Sequence, residues 1–326
     1  MNRFLRRILG ALLLGVLVYG AFVLYTGFHR IQESLARFHW GSFALALALA
    51  SSNYFIRFAK WQYYLSRLGV RGVAWLDSLL VFLSGFVLTI TPGKVGEVFK
   101  SAVLARTHDV PAERTAPIVV AERLTDAIGV IALIVVGSGA FAGGLTWAIA
   151  GTAAVAVGVG FIVWEHPGRL LIAWLERQSG GLGRLGPKVR VALTSLRVVA
   201  GPAALIWPTL LSLAAWACEG VALFVLLRGF GAPVPLGVAV FFYSTATLAG
   251  ALIPVPGGLG VAETMIQEQL VQLGHVPAGD ATAAMILIRF ATLWWAVLVG
   301  FMALAILRLR FPDRLAGDAG SVRVDT

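Results

Sequence analysis

The chain has 326 residues, of which 59% are hydrophobic and only 13% are charged. This composition excludes an ordinary soluble domain and predicts an all-α, polytopic membrane protein. The formal net charge of +10 would suit a nucleic-acid partner, but most basic residues fall in segments predicted to face the cytoplasm. Such a positive-inside bias explains the charge through topology and anionic headgroups, so we expect no nucleic-acid partner.

Apolar runs of about 20 residues predict transmembrane helices, and they give about six full spans near 8–25, 41–65, 114–138, 145–164, 205–228 and 280–307. The first run follows Arg3, Arg6 and Arg7, as in a secretory signal peptide, but no convincing cleavage site comes after it. We therefore expect an uncleaved first helix, both termini in the cytoplasm, and a location in the cell (inner or cytoplasmic) membrane. The single Cys218 excludes a disulfide within the chain.

Residues 74–91 and 236–253 are two further apolar stretches that do not fit a simple span count. Each runs into Pro/Gly-rich sequence and then a short helix-like segment, at 94–105 or 260–273. Proline and glycine break helical hydrogen bonding, and irregular backbone at membrane depth is tolerated only where protein buries it or it lines a wet cavity. We interpret each unit as a re-entrant hairpin, although two complete crossings would give the same loop orientations.

The sequence at the two breaks is duplicated. Residues 92–97 read Pro-Gly-Lys-Val-Gly-Glu, and residues 256–263 read Pro-Gly-Gly-Leu-Gly-Val-Ala-Glu. In each copy an arginine follows the glutamate by 26 residues, Arg123 after Glu97 and Arg289 after Glu263. Because the two hairpins enter from opposite sides in the predicted topology, this duplication predicts an inverted-topology repeat.

We expect a single transmembrane domain over residues 1–326. Its predicted parts are an additional N-terminal span and outer loop at 8–40, a first repeat at 41–140, a connector span with a basic cytoplasmic loop at 141–203, a second repeat at 204–307 and a cytoplasmic tail at 308–326.

The first break offers a site for an anion. A helix that restarts near Lys94 exposes unpaired backbone N–H groups at the positive end of its dipole, and Gly93 and Gly96 allow a headgroup to approach that backbone. Glu97 could pair with Arg123 or receive a cationic group. Because the second copy has glycine in place of Lys94, an asymmetric site could also hold a zwitterionic headgroup.

Other polar residues lie inside the predicted spans, where each charge costs roughly 2.5–3.5 kcal/mol at the bilayer centre. We expect them to face partners or a polar cavity. Structural ion pairing is the alternative, and Arg57 and Lys60 could instead extend to the cytoplasmic surface. The predicted translocation site comprises Asn53, Arg57, Pro92, Gly93, Lys94, Gly96, Glu97, Glu122, Arg123, Asp126, Glu219, Pro256, Gly257, Gly258, Gly260, Glu263 and Arg289.

Three linked motifs, at 91–97, 122–126 and 254–263, resemble the lysylphosphatidylglycerol synthase transmembrane-region family, also called the flippase-like domain family. The resemblance covers about residues 5–310. It implies a membrane region that moves lipid between leaflets. The best-known members carry an additional aminoacyl-transferring domain for which this chain has no room, so the resemblance implies translocation without lysyl transfer. Stand-alone relatives accompany glycolipid or hopanoid pathways, which widens the range of candidate lipids.

The sequence does not indicate an enzyme. The five histidines are scattered without a His-Glu-x-x-His motif, and no cysteine pair could bind zinc. Residues 181–186 match a Gly-x-Gly-x-x-Gly pattern formally, but no strand precedes them and Pro187 follows. There is no Walker motif either. We expect no catalytic residue, no metal, no cofactor and no ATPase activity.

We therefore expect an integral membrane lipid translocator that moves a phospholipid or related polar lipid through a cavity between the two hairpins. The expected partners are membrane lipids with anionic or zwitterionic headgroups. One alternative is a secondary transporter of a small anionic solute. Another is a non-transporting membrane partner of a lipid- or glycolipid-modifying enzyme. The sequence makes no prediction of the oligomeric state.

Overall fold

The computed structural model describes residues 3–89, 97–139, 149, 153, 185–253 and 255–315. Every regular element within these residues is helical, which confirms the all-α class. The α-helices are α1 (Arg3–Thr26), α2 (Phe28–Ala36), α3 (Trp40–Arg67), α4 (Trp75–Ser84), α5 (Phe99–His108), α6 (Ala112–Thr115), α7 (Pro117–Ser138), α8 (Leu185–Ala200), α9 (Pro202–Gly229), α10 (Leu236–Leu252), α11 (Val261–Glu268), α12 (Ala278–Arg289), α13 (Trp295–Arg310) and α14 (Pro312–Leu315).

Three of the described helical segments are long and apolar enough to cross a membrane: Trp40–Arg67, Ala203–Gly229 and Ala278–Arg310. They coincide with the predicted spans at 41–65, 205–228 and 280–307. The predicted span at 114–138 corresponds to α7, which carries three charged residues near its middle. The predicted span at 145–164 lies outside the described residues apart from two isolated positions, so the full span count stays a prediction.

The outer surface of these helices is apolar, as a lipid-facing surface must be. Large hydrophobic side chains such as Leu24 and Leu309 are more than four-fifths exposed. The long third span is continuous from α12 into α13 through a π-helical turn at Phe290–Trp294. Such turns insert an extra residue into an α-helix and occur frequently at functional sites.

Helix packing builds the centre of the molecule around α3 and α9. These two long helices lie against each other over much of their length. Helix α10 packs on α7, and α4 packs on α13. One apolar core cluster joins α7, α9, α10 and α12, and a second joins α3, α4, α5 and α13.

The second break predicted from proline and glycine is present as an interruption between two helices, whereas the first falls in residues outside the described part. Helix α4 tightens into a 3-10 turn at Gly85–Leu88, residues 90–96 lie outside the described part, and α5 begins at Phe99. Helix α10 ends at Leu252 and a 3-10 turn at Pro256–Gly258 leads into α11.

The second break depends on glycine. Gly257, Gly258 and Gly260 have φ values of 62, 68 and 85°, a region that residues with a side chain adopt only with strain. The chain there reverses and restarts a helix within a few residues. The first short segment differs from its predicted end at residue 105, since α5 extends to His108 and is closed by Asp109 in a left-handed conformation with φ 56°. The second agrees with its predicted end at residue 273, because α11 continues as a π-helical turn at Gln269–Leu273.

The first arm consists of α4, its 3-10 turn and α5. Its contact with α13 requires a glycine at position 300. A Cβ atom added there would lie 2.6 Å from the backbone nitrogen of Val87 and 3.1 Å from the carbonyl oxygen of Leu83. Backbone atoms cannot move aside as a flexible side chain can. The close approach of α13 to α4 therefore depends on the missing side chain.

We predict that Gly300→Ala lowers the free energy of unfolding by about 1–3 kcal/mol, because overpacking forces the two helices apart. Gly20→Ala is the matched control, since a Cβ there meets nothing within 4 Å and alanine favours the helix. Thermal unfolding of the purified protein in detergent measures both. Equal midpoints for the two variants would contradict the packing described here.

Candidate functional site

Two groups of buried charges lie next to the two breaks. The first charge cluster contains Arg57 and Lys60 of α3, Glu97 and Lys100 at the start of the α5 arm, and Glu122, Arg123 and Asp126 of α7. The second charge cluster contains Glu263 of α11 and Arg289 of α12.

Asp126 is the centre of the first charge cluster. Its Oδ1 atom accepts a 2.6 Å hydrogen bond from Lys60 Nζ and a 2.9 Å hydrogen bond from Ser212 Oγ of α9. Its Oδ2 atom lies 3.1 Å from Arg123 Nη2 and 3.5 Å from Arg57 Nη2. One carboxylate therefore ties α3, α7 and α9 together. Its two oxygens are held differently: Oδ1 by aligned hydrogen bonds, and Oδ2 by charge proximity without an aligned hydrogen bond in the described chain.

The contact between α7 and α9 at this point is close because Gly129 lies one turn beyond Asp126. A Cβ atom at Gly129 would lie 3.0 Å from the backbone nitrogen of Leu213. The glycine thus lets the Ser212 hydroxyl reach Asp126. Lys60 itself is fully buried, so the alternative that its side chain extends to the cytoplasmic surface is wrong.

Glu97 and Arg123, which the 26-residue spacing linked, are in contact. Arg123 Nη2 lies 2.8 Å from Glu97 Oε2, and Arg57 Nη2 lies 4.0 Å from Glu97 Oε1. In the described part of the chain, Arg123 Nη2 and Nε and Arg57 Nε have no aligned hydrogen-bond partner. The two arginines are therefore attracted to both Glu97 and Asp126 without being fixed to either.

Lys100 is a buried member of the cluster that the predicted translocation site did not include. It is 3% exposed, forms a short ion pair with Glu122, and lies 4.6 Å from the ring centroid of Trp61 and 5.3 Å from that of Phe82. Its neighbours in the sequence are polar and apolar alike, so composition alone gave no signal of burial.

The second charge cluster is held by hydrogen bonds between its two side chains and to the backbone of the second break. Arg289 Nε donates to Glu263 Oε1 at 2.7 Å, and Arg289 Nη2 donates to the carbonyl oxygen of Gly257 at 2.8 Å. The other carboxylate oxygen of Glu263 accepts the N–H of Gly260 at 2.8 Å, as a glutamate in the first turn of a helix does. Tyr19 of α1 adds a longer contact of 3.4 Å to Glu263. Arg289 and Glu263 thus hold the glycine turn of the second break in place.

A cavity with an empty volume of about 670 Å³, counting the open space at its mouth, lies between the two breaks. Its charged lining residues are Arg57, Glu219 and Arg289. Glu219 accepts a hydrogen bond from the Tyr243 hydroxyl at 2.5 Å. The other lining residues are Tyr54, Phe86, Thr89, Trp216, Tyr243, Thr247, Gly250, Ala251, Gly257, Gly258, Ala262, Thr292, Leu293 and Ala296.

The predicted site residues divide into four groups. Those that line the cavity are Arg57, Glu219, Gly257, Gly258 and Arg289. Those in the charge clusters or the second break, outside the lining, are Glu97, Glu122, Arg123, Asp126, Pro256, Gly260 and Glu263. Asn53 is fully buried and donates a 2.8 Å hydrogen bond to the carbonyl oxygen of Ala215 between α3 and α9. Pro92, Gly93, Lys94 and Gly96 lie outside the described residues.

The sequence analysis missed the hydroxyl groups of the cavity. Tyr54, Thr89 and Tyr243 all line it, yet single Tyr and Thr residues inside apolar helices are common and give no signal alone. Of these three residues, Tyr54 was the easiest to predict from the sequence, because it lies three residues before Arg57 and so shares its helical face. In the described ranges no group of three or more His, Cys, Asp or Glu side chains could hold a metal.

The fold and site define a helical membrane protein with a glutamate–arginine pair in each half and a partly charged cavity lined by both halves. The family model described as "Lysylphosphatidylglycerol synthase TM region" matches residues 9–300. The chain therefore belongs to this family. No curated protein matches the chain.

We predict that Glu263→Gln lowers the free energy of unfolding by roughly 3–5 kcal/mol, because it leaves Arg289 buried without its counter-charge. Asp109→Asn is the control. It removes the exposed pair with Arg314, which is expected to contribute below about 1 kcal/mol. Unfolding in mixed micelles titrated with sodium dodecyl sulfate measures both variants. Similar losses in the two would show that the buried pair is not a stabilising element.

A second prediction concerns Lys100 and Glu122. Lys100→Met leaves Glu122 without its cation and should cost roughly 3–5 kcal/mol, whereas Lys100→Met/Glu122→Leu should recover most of this, since an apolar replacement of a buried ion pair is often neutral. The same unfolding titration provides the measurement. We expect no such recovery from the double variant Glu263→Leu/Arg289→Met, because Arg289 and Glu263 also hold the backbone of Gly257 and Gly260.

Proposed function

We propose that this protein moves a phospholipid or related polar lipid between the leaflets of a membrane. The observation that carries the proposal is the cavity between the two breaks. It is lined by Arg57 of the first charge cluster and by Arg289 of the second charge cluster. Membership of the family supports a membrane role. The apolar exterior leaves acyl chains free to stay in the bilayer while a polar headgroup enters the cavity.

We further propose that the two halves form an inverted-topology repeat. The order of helices supports this, since α3, α4, α5 and α7 have counterparts of matching sequence position in α9, α10, α11 and α12–α13. The packing is also consistent with a two-fold relation. The counterparts α3 and α9 lie against each other, and the pair α7–α10 corresponds to the pair α13–α4. Such repeats place the substrate site at their interface.

The two clusters would then have different roles during transport. Glu263 and Arg289 are hydrogen-bonded to each other and to the backbone of the glycine turn, and would keep the second break rigid. Arg57 and Arg123 face two carboxylates each, and in the described residues Arg57 Nε and Arg123 Nε and Nη2 have no hydrogen-bond partner. Exchange of these arginines between Glu97 and Asp126 would open and close the first arm. We propose no catalytic step and no nucleotide hydrolysis by the chain itself.

A secondary transporter of a small anionic solute is the second candidate, because two of the three charged lining residues in the described ranges are arginines. The two functions differ in what must cross. A lipid carrier moves labelled lipid between leaflets of a sealed vesicle, whereas a solute carrier releases an internal anion and leaves the lipid distribution unchanged.

We predict that the purified protein in liposomes exposes headgroup-labelled lipids of one class to a membrane-impermeant quencher. Glu97→Gln and Arg123→Ala should slow this movement about tenfold or more, because a charge-assisted contact worth roughly 1.5–3 kcal/mol is lost at the first arm. Asp109→Asn and Arg228→Gln are matched controls away from the cavity and should leave the rate unchanged.

Two results would count against the lipid proposal. The first is no movement of any lipid by folded wild-type protein. The second is equal rates in Glu97→Gln, Arg123→Ala and the controls. Release of a trapped anion in the same vesicles, without lipid movement, would establish the solute transporter instead.

A further inference from the structure

Three polar groups on residues that line the cavity have no hydrogen-bond partner in the described part of the chain. They are Arg57 Nε, the Tyr54 hydroxyl and the Thr89 hydroxyl, all buried and all from residues that line the cavity. Tyr54 and Arg57 lie one turn apart on α3, and Thr89 follows the 3-10 turn of the first arm. Buried polar groups ordinarily find partners, so three orphaned groups at one place indicate a ligand-binding wall.

Arg57 differs in this respect from the other arginine of the cavity. Its nearest carboxylate contacts are 3.5 Å to Asp126 and 4.0 Å to Glu97, and its guanidinium carbon lies 5.9 Å from the Phe86 ring centroid. Arg289 has 2.7 and 2.8 Å hydrogen bonds to Glu263 and Gly257. Since both are guanidinium groups with five N–H donors, the difference lies in how many of those donors remain available.

The charges around Arg57 permit an anion to approach it. Asp126 and Glu97 are also contacted by Lys60 or Arg123, which reduces their repulsion toward an incoming anion. Glu219, the carboxylate that lines the cavity, accepts a hydrogen bond from Tyr243. A ligand oxygen beside Arg57 would therefore meet one guanidinium and two hydroxyl donors. A guanidinium fork suits phosphate and carboxylate geometry better than it suits a neutral polar group.

We propose that Arg57, Tyr54 and Thr89 form an anion subsite for a phosphate-type oxyanion, and that Arg289 is a positioning residue that holds the opposite wall. The proposal deepens the proposed function, on which it rests for the source of the anion, by naming the chemical group that the cavity holds. It places anion binding on the described side chains of α3 and the first arm, independently of the glycine-rich segment that precedes Glu97.

The experiment measures binding of three probes by calorimetry to the full-length protein in detergent. They are dihexanoyl phosphatidylglycerol below its micelle concentration, the neutral dihexanoylglycerol and inorganic phosphate. We expect the phosphatidylglycerol probe to bind about 10- to 100-fold more weakly to Arg57→Gln, because hydrogen bonds to a charged group are lost. Arg57→Lys should recover part of the loss through its charge. Arg228→Gln is the matched control and should bind as wild type does.

Tyr54→Phe tests the subsite independently of whether the Arg57→Gln variant folds, since it removes only one oxygen atom. We expect binding of the phosphatidylglycerol probe to weaken several-fold in this variant and to stay unchanged in the control Tyr63→Phe, which lies outside the cavity lining. Binding that is equal in wild type, Arg57→Gln and Tyr54→Phe overturns the subsite, even where the lipid assay succeeds. Equal binding of the neutral diglyceride by wild type also overturns it.

The same binding measurements show whether the anion is a lipid headgroup or free phosphate. Inorganic phosphate bound as tightly as the lipid probe, and weakened by Arg57→Gln, would support the subsite while removing the lipid proposal. Tighter binding of the lipid probe than of phosphate, with the same dependence on Arg57, would support both.

Discussion

The structure depends on one constraint, which is that a charge inside an apolar helical bundle needs a partner. Asp126 meets this constraint for three helices at once, because it accepts hydrogen bonds from Lys60 of α3 and Ser212 of α9 while it lies on α7. An unpaired carboxylate at this depth would cost several kcal/mol. The relative positions of α3, α7 and α9 are therefore set by polar contacts, and the apolar contacts between the helices fill the space around them.

The two clusters show that the same residue pair can be built rigidly or loosely. Arg289 donates a hydrogen bond to Glu263, and each of the two side chains also forms a hydrogen bond with the backbone of the glycine turn. Glu97 and Arg123 lie equally close, at 2.8 Å, but Arg123 is also 3.1 Å from Asp126. A cation between two carboxylates has two arrangements of similar energy, which is the kind of bistable element that a conformational switch requires. The difference between the two charge clusters thus follows from one additional carboxylate in the first half, that of Asp126.

The sequence alone was informative where a physical rule restricts the choices. Three predicted spans match helices because apolar length is a strong signal, and the 26-residue spacing identified two pairs that the structure brings into contact. Lys100 was left out of the predicted site because a lone lysine beside a Pro/Gly-rich break has no periodic pattern to show burial. The hydroxyls of Tyr54 and Thr89 could not be found in this way, since such groups are inexpensive to bury and their role depends on which helices meet. The end of α5 was missed by a few residues because hydrophobic periodicity does not locate the left-handed cap that Asp109 forms there.

On the proposed function, the charges around the cavity also bear on how headgroup binding could be coupled to movement of the first arm. Four cations of the first cluster, Arg57, Lys60, Lys100 and Arg123, face three carboxylates in the described residues, and Glu219 on the cavity wall supplies a fourth. On the proposed assignment, an oxyanion that reaches Arg57 takes the place of a carboxylate that the guanidinium already attracts. Such an exchange replaces one anionic partner by another, so its net electrostatic cost is small compared with that of separating a buried pair. Binding would then weaken the attraction of Arg57 for Glu97, at the start of the first arm, and couple the presence of a headgroup to movement of that arm.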